Sequence, residues 1–160
     1  MAELEAFVGN LGWVGVKVPT HSELAEAVPM AFEEGKGAPE VQLTAGAKFL
    51  LTYDPNRVPD DVRQPLDGKP AHAVTAFIDF QPIGKRIEAP AIGFEAGANG
   101  EKMPRPAPVL VEVPEGTEQV SVWFRQNGAG ERAHLERWDS GYDHQNYNFS
   151  VGQRPGAERR

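Results

Sequence analysis

The sequence predicts an all-β fold, an immunoglobulin-like antiparallel β-sandwich of about eight strands, with a barrel as the second choice. Three observations carry that expectation. The chain of 160 residues holds 17 glycines and 14 prolines, and breakers at that density favour short strands and turns over long helices. The best-formed runs, 73–80 (AVTAFIDF) and 109–113 (VLVEV), are short and rich in β-branched and aromatic residues. The run 119–125 (QVSVWFR) alternates, with Val120, Val122 and Phe124 on one face and Ser121, Trp123 and Arg125 on the other.

Element by element, Leu11 to Val18 reads as a strand that ends at Pro19. Thr20 and Glu23 have capping-box spacing, which starts a short helix that Pro29 would stop. A strand from Ala27 to Phe32 is the equal alternative. Glu33 to Pro39 is a Gly-rich turn, Val41 to Leu43 alternates briefly, and Ala47 to Tyr53 is a further strand. Asp54 to Pro70 contains four prolines and reads as a long ordered loop. After the 73–80 strand, Pro82 and Gly84 mark a turn. Arg86 to Phe94 then returns as an edge or bulged strand, because Pro90 lacks an N–H. The stretch after Glu95, through Pro104, Pro106 and Pro108, is expected to be loop. Val109 to Val113 and Gln119 to Arg125 are strands joined by the Pro114–Thr117 turn. Asn127 to Gly130 has hairpin-turn chemistry. Ala133 to Trp138 leads into a polar loop, and Tyr147 to Val151 closes the fold.

Composition bounds the function. Hydrophobic residues make up 40% and charged residues 24%, which is globular, and the length suits one domain. That domain is expected over 1–152, followed by a polar, disordered tail over 153–160. The net charge is −7 and the pI about 5.1. Both disfavour phosphate backbones and anionic membranes, so neither nucleic acid nor membrane is an expected partner. With no cysteine, disulfides, thiolate nucleophiles and Cys-based zinc sites are excluded. The N-terminus lacks the basic start and apolar stretch of a signal peptide, so a cytoplasmic location is expected.

Two segments carry the candidate chemistry. In 137–147 (RWDSGYDHQNY) aromatic, acidic, amide and imidazole groups share one short stretch. Trp138, Tyr142 and Tyr147 could stack on a flat ligand or a sugar ring, with Asn146 supplying directional hydrogen bonds and Trp123 adding a further ring. The competing reading places Trp138 and Tyr147 in the core, with Asp139 capping its own loop. In 53–63 (YDPNRVPDDVR), Arg57 could offer a bidentate fork to a ligand carboxylate beside Tyr53. The competing reading is a solvated loop in which Arg57 or Arg63 pairs with Asp54, Asp60 or Asp61. His144 could act as a general base with Asp139 or Asp143 as its partner. No HxH or HExxH spacing exists, so no metal and no cofactor are expected, and there is no GxSxG nucleophile elbow.

A strand VSVWF, a variable loop, then Trp138-Asp139, a short polar stretch and Asn146-Tyr147 resembles the glycogen- and starch-binding modules of carbohydrate-binding module family 21. In this chain Ser140 and Gly141 stand where those modules carry two asparagines, and Tyr142, Asp143 and His144 fill the spacer. The same region resembles small bacterial stand-alone β-sandwich proteins of unknown function with an upstream Tyr-Asp-Pro-x-Arg segment, here Tyr53-Asp54-Pro55-Asn56-Arg57. The resemblance implies an immunoglobulin-like sandwich and, from the sugar modules, a glycan ligand.

Three functions are therefore carried forward. The first is a module that binds a glycan or another small polar ligand through an exposed aromatic and amide loop. The second is a single-domain biosynthetic enzyme, a cyclase or isomerase, with a His/Asp pair in a closed pocket. The third is a protein-interaction or assembly module, self-association into a homo-oligomer included, with a large exposed apolar patch.

Overall fold

The computed structural model describes residues 20–63, 72–100, 102–128, 135–141 and 144–153. The strand expected over Leu11 to Val18, the pair Tyr142 and Asp143, and the tail beyond Gln153 lie outside the described residues.

The two alternatives for 20–32 occur one after the other. Thr20 caps helix α1 (His21–Glu26) with the expected reciprocal box: its Oγ1 accepts from the Glu23 N–H, and Glu23 accepts from the Thr20 N–H. Strand β1 (Val28–Phe32) follows directly. Pro29 is tolerated because, among the described strands, β1 pairs with β3 alone. The remaining strands are β2 (Leu43–Thr44), β3 (Lys48–Tyr53), β4 (Ala73–Gln81), β5 (Lys85–Pro90), β6 (Ile92–Ala96), β7 (Lys102–Pro106), β8 (Val109–Glu112), β9 (Gln119–Asn127), β10 (Glu136–Asp139) and β11 (Tyr147–Gly152).

A three-stranded sheet has the order β1-β3-β8. A larger sheet runs β2-β11-β9-β4-β5, with β10 also paired to β9. The all-β, sandwich-like class is as predicted, with three corrections. The pairing is not wholly antiparallel, because β1 and β3 are parallel and so are β11 and β2. The cause is a crossover: after β1 the chain visits the larger sheet as β2 before returning as β3, and parallel neighbours require such a detour. The stretch expected as loop after Glu95 contains β7, which forms a hairpin with β6. Pro104 and Pro106 are two residues apart, so their missing N–H groups fall on one side of the strand and the other side stays free to pair. The expected 86–94 return strand is likewise two strands, divided at Ala91. The Ala91 N–H goes back to the Val74 carbonyl while its own carbonyl accepts from Ala107.

One apolar core joins the sheets. Val74, Ala76, Ile78 and Phe80 of β4 and Val120, Val122 and Phe124 of β9 face Met30, Phe32, Phe49, Leu51 and Tyr53 of the smaller sheet. The contact is aromatic at the end where β1 and β3 finish. Ring centres lie 4.3 Å apart for Tyr53–Phe124, 4.9 Å for Phe32–Phe124 and 5.0 Å for Phe32–Tyr147. There β10 and β11 lie end to end along one edge of β9, against 124–127 and 119–122 respectively. The chain leaves β10 through Ser140 and Gly141 and enters β11 from 144–146.

Candidate functional site

Strand alternation splits the Trp138-Asp139 pair. Asp139 lies opposite Phe124 and faces inward, whereas Trp138 lies opposite Arg125 on the outer face. On the smaller sheet Tyr53 ends β3 pointing into the core. Asp54 then caps a short 3-10 turn, Pro55–Arg57, by accepting from the Asn56 N–H, and Pro55 occupies the first turn where no N–H is needed. One tight turn after Tyr53, Arg57 reaches the same interior. The two motifs, more than eighty residues apart, therefore meet.

They meet as a closed hydrogen-bond network. Asp139 Oδ2 accepts from the Tyr53 hydroxyl at 2.6 Å and from Arg57 Nε at 2.8 Å. Asp139 Oδ1 accepts from Arg57 Nη2 at 3.1 Å and from the Tyr147 hydroxyl. Arg57 Nη2 also donates to the Tyr147 hydroxyl at 2.8 Å, and Nη1 donates to the carbonyls of Glu33 and Lys36, both at 2.7 Å. Gln126 Nε2 donates to the Tyr53 hydroxyl at 2.7 Å. All five guanidinium N–H groups are thus used, as are the four acceptor positions of the carboxylate. The Arg57 side chain is 10% exposed and that of Asp139 14%. The guanidinium carbon also lies 5.6 Å from the Tyr53 ring centre and 5.9 Å from those of Phe32 and Tyr147, within cation–π range.

The ionisation of each group follows from these contacts. Burial by itself would raise the Asp139 pKa, but the hydrogen bonds from Arg57, Tyr147 and Tyr53 outweigh it and hold the carboxyl below its ordinary value. Burial likewise opposes the Arg57 charge, and Asp139 more than restores it, so the guanidinium stays protonated. Burial and then the Asp139 charge push Tyr53 far above the usual phenol value. Burial, followed by the hydrogen bond to Asp139, pushes Tyr147 up to about 12. The network is one carboxylate, one guanidinium and two neutral phenols.

This arrangement assigns places to the sequence candidates. The Arg57 fork meets a carboxylate, but the carboxylate is Asp139 rather than one from a ligand or from Asp54, Asp60 or Asp61. Arg63 pairs with Asp60 at 2.5 Å, and Asp61 pairs with Arg137. Tyr53 and Tyr147 are buried. His144 is exposed, and its Nδ1 lies 3.2 Å from Ser140 Oγ. Among the described contacts none joins it to Asp139. Asn146, like His144, has a positive φ (69° and 57°), and its N–H closes the 140–146 segment onto the Ser140 carbonyl at 2.6 Å. Among the described residues no group of three or more His, Asp or Glu side chains could hold a metal ion, and no helix is long and apolar enough to cross a membrane.

Trp123 lies on the outer face, away from the Arg57–Asp139 network and on the same face as the Trp138 ring. Its ring stacks on Phe77 at 5.5 Å and 7°. Arg86 lies over Trp123 at 5.1 Å and Arg125 over Phe77 at 5.5 Å. The Trp138 ring tilts against Phe77 at 5.9 Å.

Beside the network lies an open groove of about 620 Å³. The 34–36 turn, Asn56, Arg57 and Pro59 line it from one sheet, and Gln126 with 137–139 from the other. Trp138, 45% exposed, is the one large aromatic at this surface and the only exposed one among the described residues. Sequence reasoning missed Gln126, Glu34, Lys36 and Asn56. Gln126 was legible in principle: it continues the inward face of Val120, Val122 and Phe124, where a polar residue needs a partner. The turn residues carried no signal, because what brings them there is the Arg57 contact to their carbonyls.

No curated protein and no solved structure matches the chain. The likeness of the Trp-Asp and Asn-Tyr ends to sugar-binding modules therefore stays a likeness of motifs. Over residues 21–152 the chain matches the model of a family of unknown function, DUF6209, and it belongs to that family.

Proposed function

We propose that this protein binds a small polar ligand of glycan type in the groove beside the Arg57–Asp139 network. One observation carries the reading: the two sequence segments rich in chemistry converge on a single open groove whose exposed aromatic is Trp138. Its volume of about 620 Å³ falls in the range of ligand sites, roughly 300–1,000 Å³. Trp138 offers an apolar ring to the C–H face of a sugar, and Glu34, Lys36, Asn56 and Arg137 offer polar groups to its hydroxyls. Arg57 and Asp139 do not contact the ligand in this reading. They hold the 34–36 turn and β10 at a fixed separation, so the groove is formed before the ligand arrives.

The test is calorimetric titration with neutral oligosaccharides of the malto, cello and xylo series, on the wild type and on Trp138→Ala. Replacing an exposed side chain should move stability by no more than about 0.5 kcal/mol. It should weaken binding by about 2 kcal/mol, roughly thirtyfold, as loss of an aromatic anchor does. A Trp138→Ala variant that binds as well as the wild type would overturn the proposal.

A further inference from the structure

A second hollow of about 390 Å³ lies on the other side of the same turns. Consecutive residues line opposite hollows. Glu33 faces the smaller and Glu34 the larger, and Pro55 faces the smaller and Asn56 the larger. Neighbouring Cα atoms are about 3.8 Å apart, so a ridge one residue wide separates the two. The smaller hollow is completed by Ala31 and Thr52, cross-strand partners at the end of the β1/β3 pair, and by Arg105 with its flanking prolines on β7.

The basic groups along both hollows are already paired within the protein. Glu33 pairs with Lys36 at 2.9 Å, Arg57 with Asp139 at 2.8 Å, Arg105 with Glu95 at 2.7 Å, and Arg137 with Asp61. Asp54 accepts the N–H groups of Asn56 and Glu34. Only the Glu34 carboxylate, exposed on the ridge, lacks a partner among the described residues. With every basic group along the lining already paired and the Asp54 and Glu34 carboxylates matched by no basic group among the described residues, the lining provides hydrogen bonds but offers no free cation to an anionic ligand.

We propose that the ligand is a neutral chain of linked sugar units that crosses the ridge and occupies both hollows. The proposal rests on the glycan reading above and adds chain length and charge to it. Two adjoining subsites filled by one molecule multiply their contributions, because the second contact is intramolecular once the first is made.

The experiment is titration of the full chain with each neutral series from dimer to hexamer, with acidic oligogalacturonides and cationic chitosan oligomers alongside. Affinity should rise by more than about tenfold with length in one neutral series and then level off, and the charged oligomers should bind more weakly than neutral ones of equal length. Thr52→Trp, which plugs the smaller hollow, should abolish the rise and leave dimer affinity unchanged. Arg105→Ala, a substitution at an exposed position, should reduce the rise and keeps the test available if Thr52→Trp does not fold. Dimers that bind as tightly as hexamers would overturn this inference and leave the groove reading standing. Tighter binding of a charged series would also overturn it. Failure of every oligomer at every length would remove the glycan reading, and this inference with it.

Discussion

Asp139 and Arg57 are each held by every hydrogen-bonding position they possess, so the loss of one leaves the other charged, buried and unpaired. Asp139→Asn keeps the shape but removes the charge, and it should destabilise the protein by about 3–5 kcal/mol in urea unfolding. Tyr147→Phe deprives Asp139 of a donor and Arg57 of an acceptor, and it should cost less, about 1–3 kcal/mol. His72 is a second residue-scale case. It is 4% exposed, neither ring nitrogen has a hydrogen-bond partner among the described residues, and the Phe94 ring lies edge-on to it at 5.4 Å. Burial and then the Arg63 charge lower its pKa from 6.5. The folded protein thus holds His72 neutral while the unfolded chain takes up its proton, and the stability this group contributes is present above about pH 6.5 and lost as pH falls through that value. The Asp139 contribution is lost in a lower window, from about pH 4 downward, because its folded pKa is depressed. Melting temperatures of His72→Leu against pH should lose the first slope and keep the second. The variant should be no less stable than the wild type near pH 7, since an unsatisfied polar group is replaced by an apolar one.

At the scale of elements, the break between β10 and β11 gives the site its geometry. Both strands use one edge of β9; the chain leaves that edge after Asp139 and rejoins it at Tyr147, which faces inward beside Asp139. Gly141 permits the departure. Its φ is 75°, and a Cβ there would stand 2.9 Å from the Asn146 carbonyl oxygen, a backbone atom that cannot swing away. Gly141→Ala should destabilise by more than about 1 kcal/mol, with thermal unfolding as the measurement. The sequence marks this region as a polar loop rich in functional residue types. It does not show that the loop divides two strands sharing a neighbour, because period-2 alternation reports which face a residue takes and is silent on which edge a strand occupies. The same blindness explains β7: prolines two apart resemble a loop until a partner is available on the one side where N–H groups remain.

Across the whole molecule, the Arg57 network joins the sheets at the end where the aromatic residues of the core meet. Tyr53 comes from the smaller sheet and Arg57 from the 3-10 turn that follows it, and Gln126, Asp139 and Tyr147 come from the larger sheet. Both sheets also share one apolar cluster, so neither has a separate core to unfold alone. Far-ultraviolet circular dichroism and tryptophan fluorescence should therefore follow superimposable urea transitions in the wild type and in Asp139→Asn. Two separate transitions would show that the sheets unfold independently.

Much of the molecule is determined locally. The strands of β3, β4, β8, β9 and β11, the capping box of α1, the turn at Pro82–Gly84 and the inward and outward faces of β9 all follow from propensity and from alternation between neighbours in the chain. The same local reading marks YDPNR and RWDSGYDHQNY as unusual. Tertiary structure alone decides what they meet. Arg57 faces Asp139 across 82 residues of chain, and that contact makes a buried pair of one group expected to meet a ligand and another expected to partner His144 or to cap its own loop. Side chains of identical chemistry can point at a ligand or at each other, and the choice depends on which backbone segments the long-range pairing brings within hydrogen-bond reach.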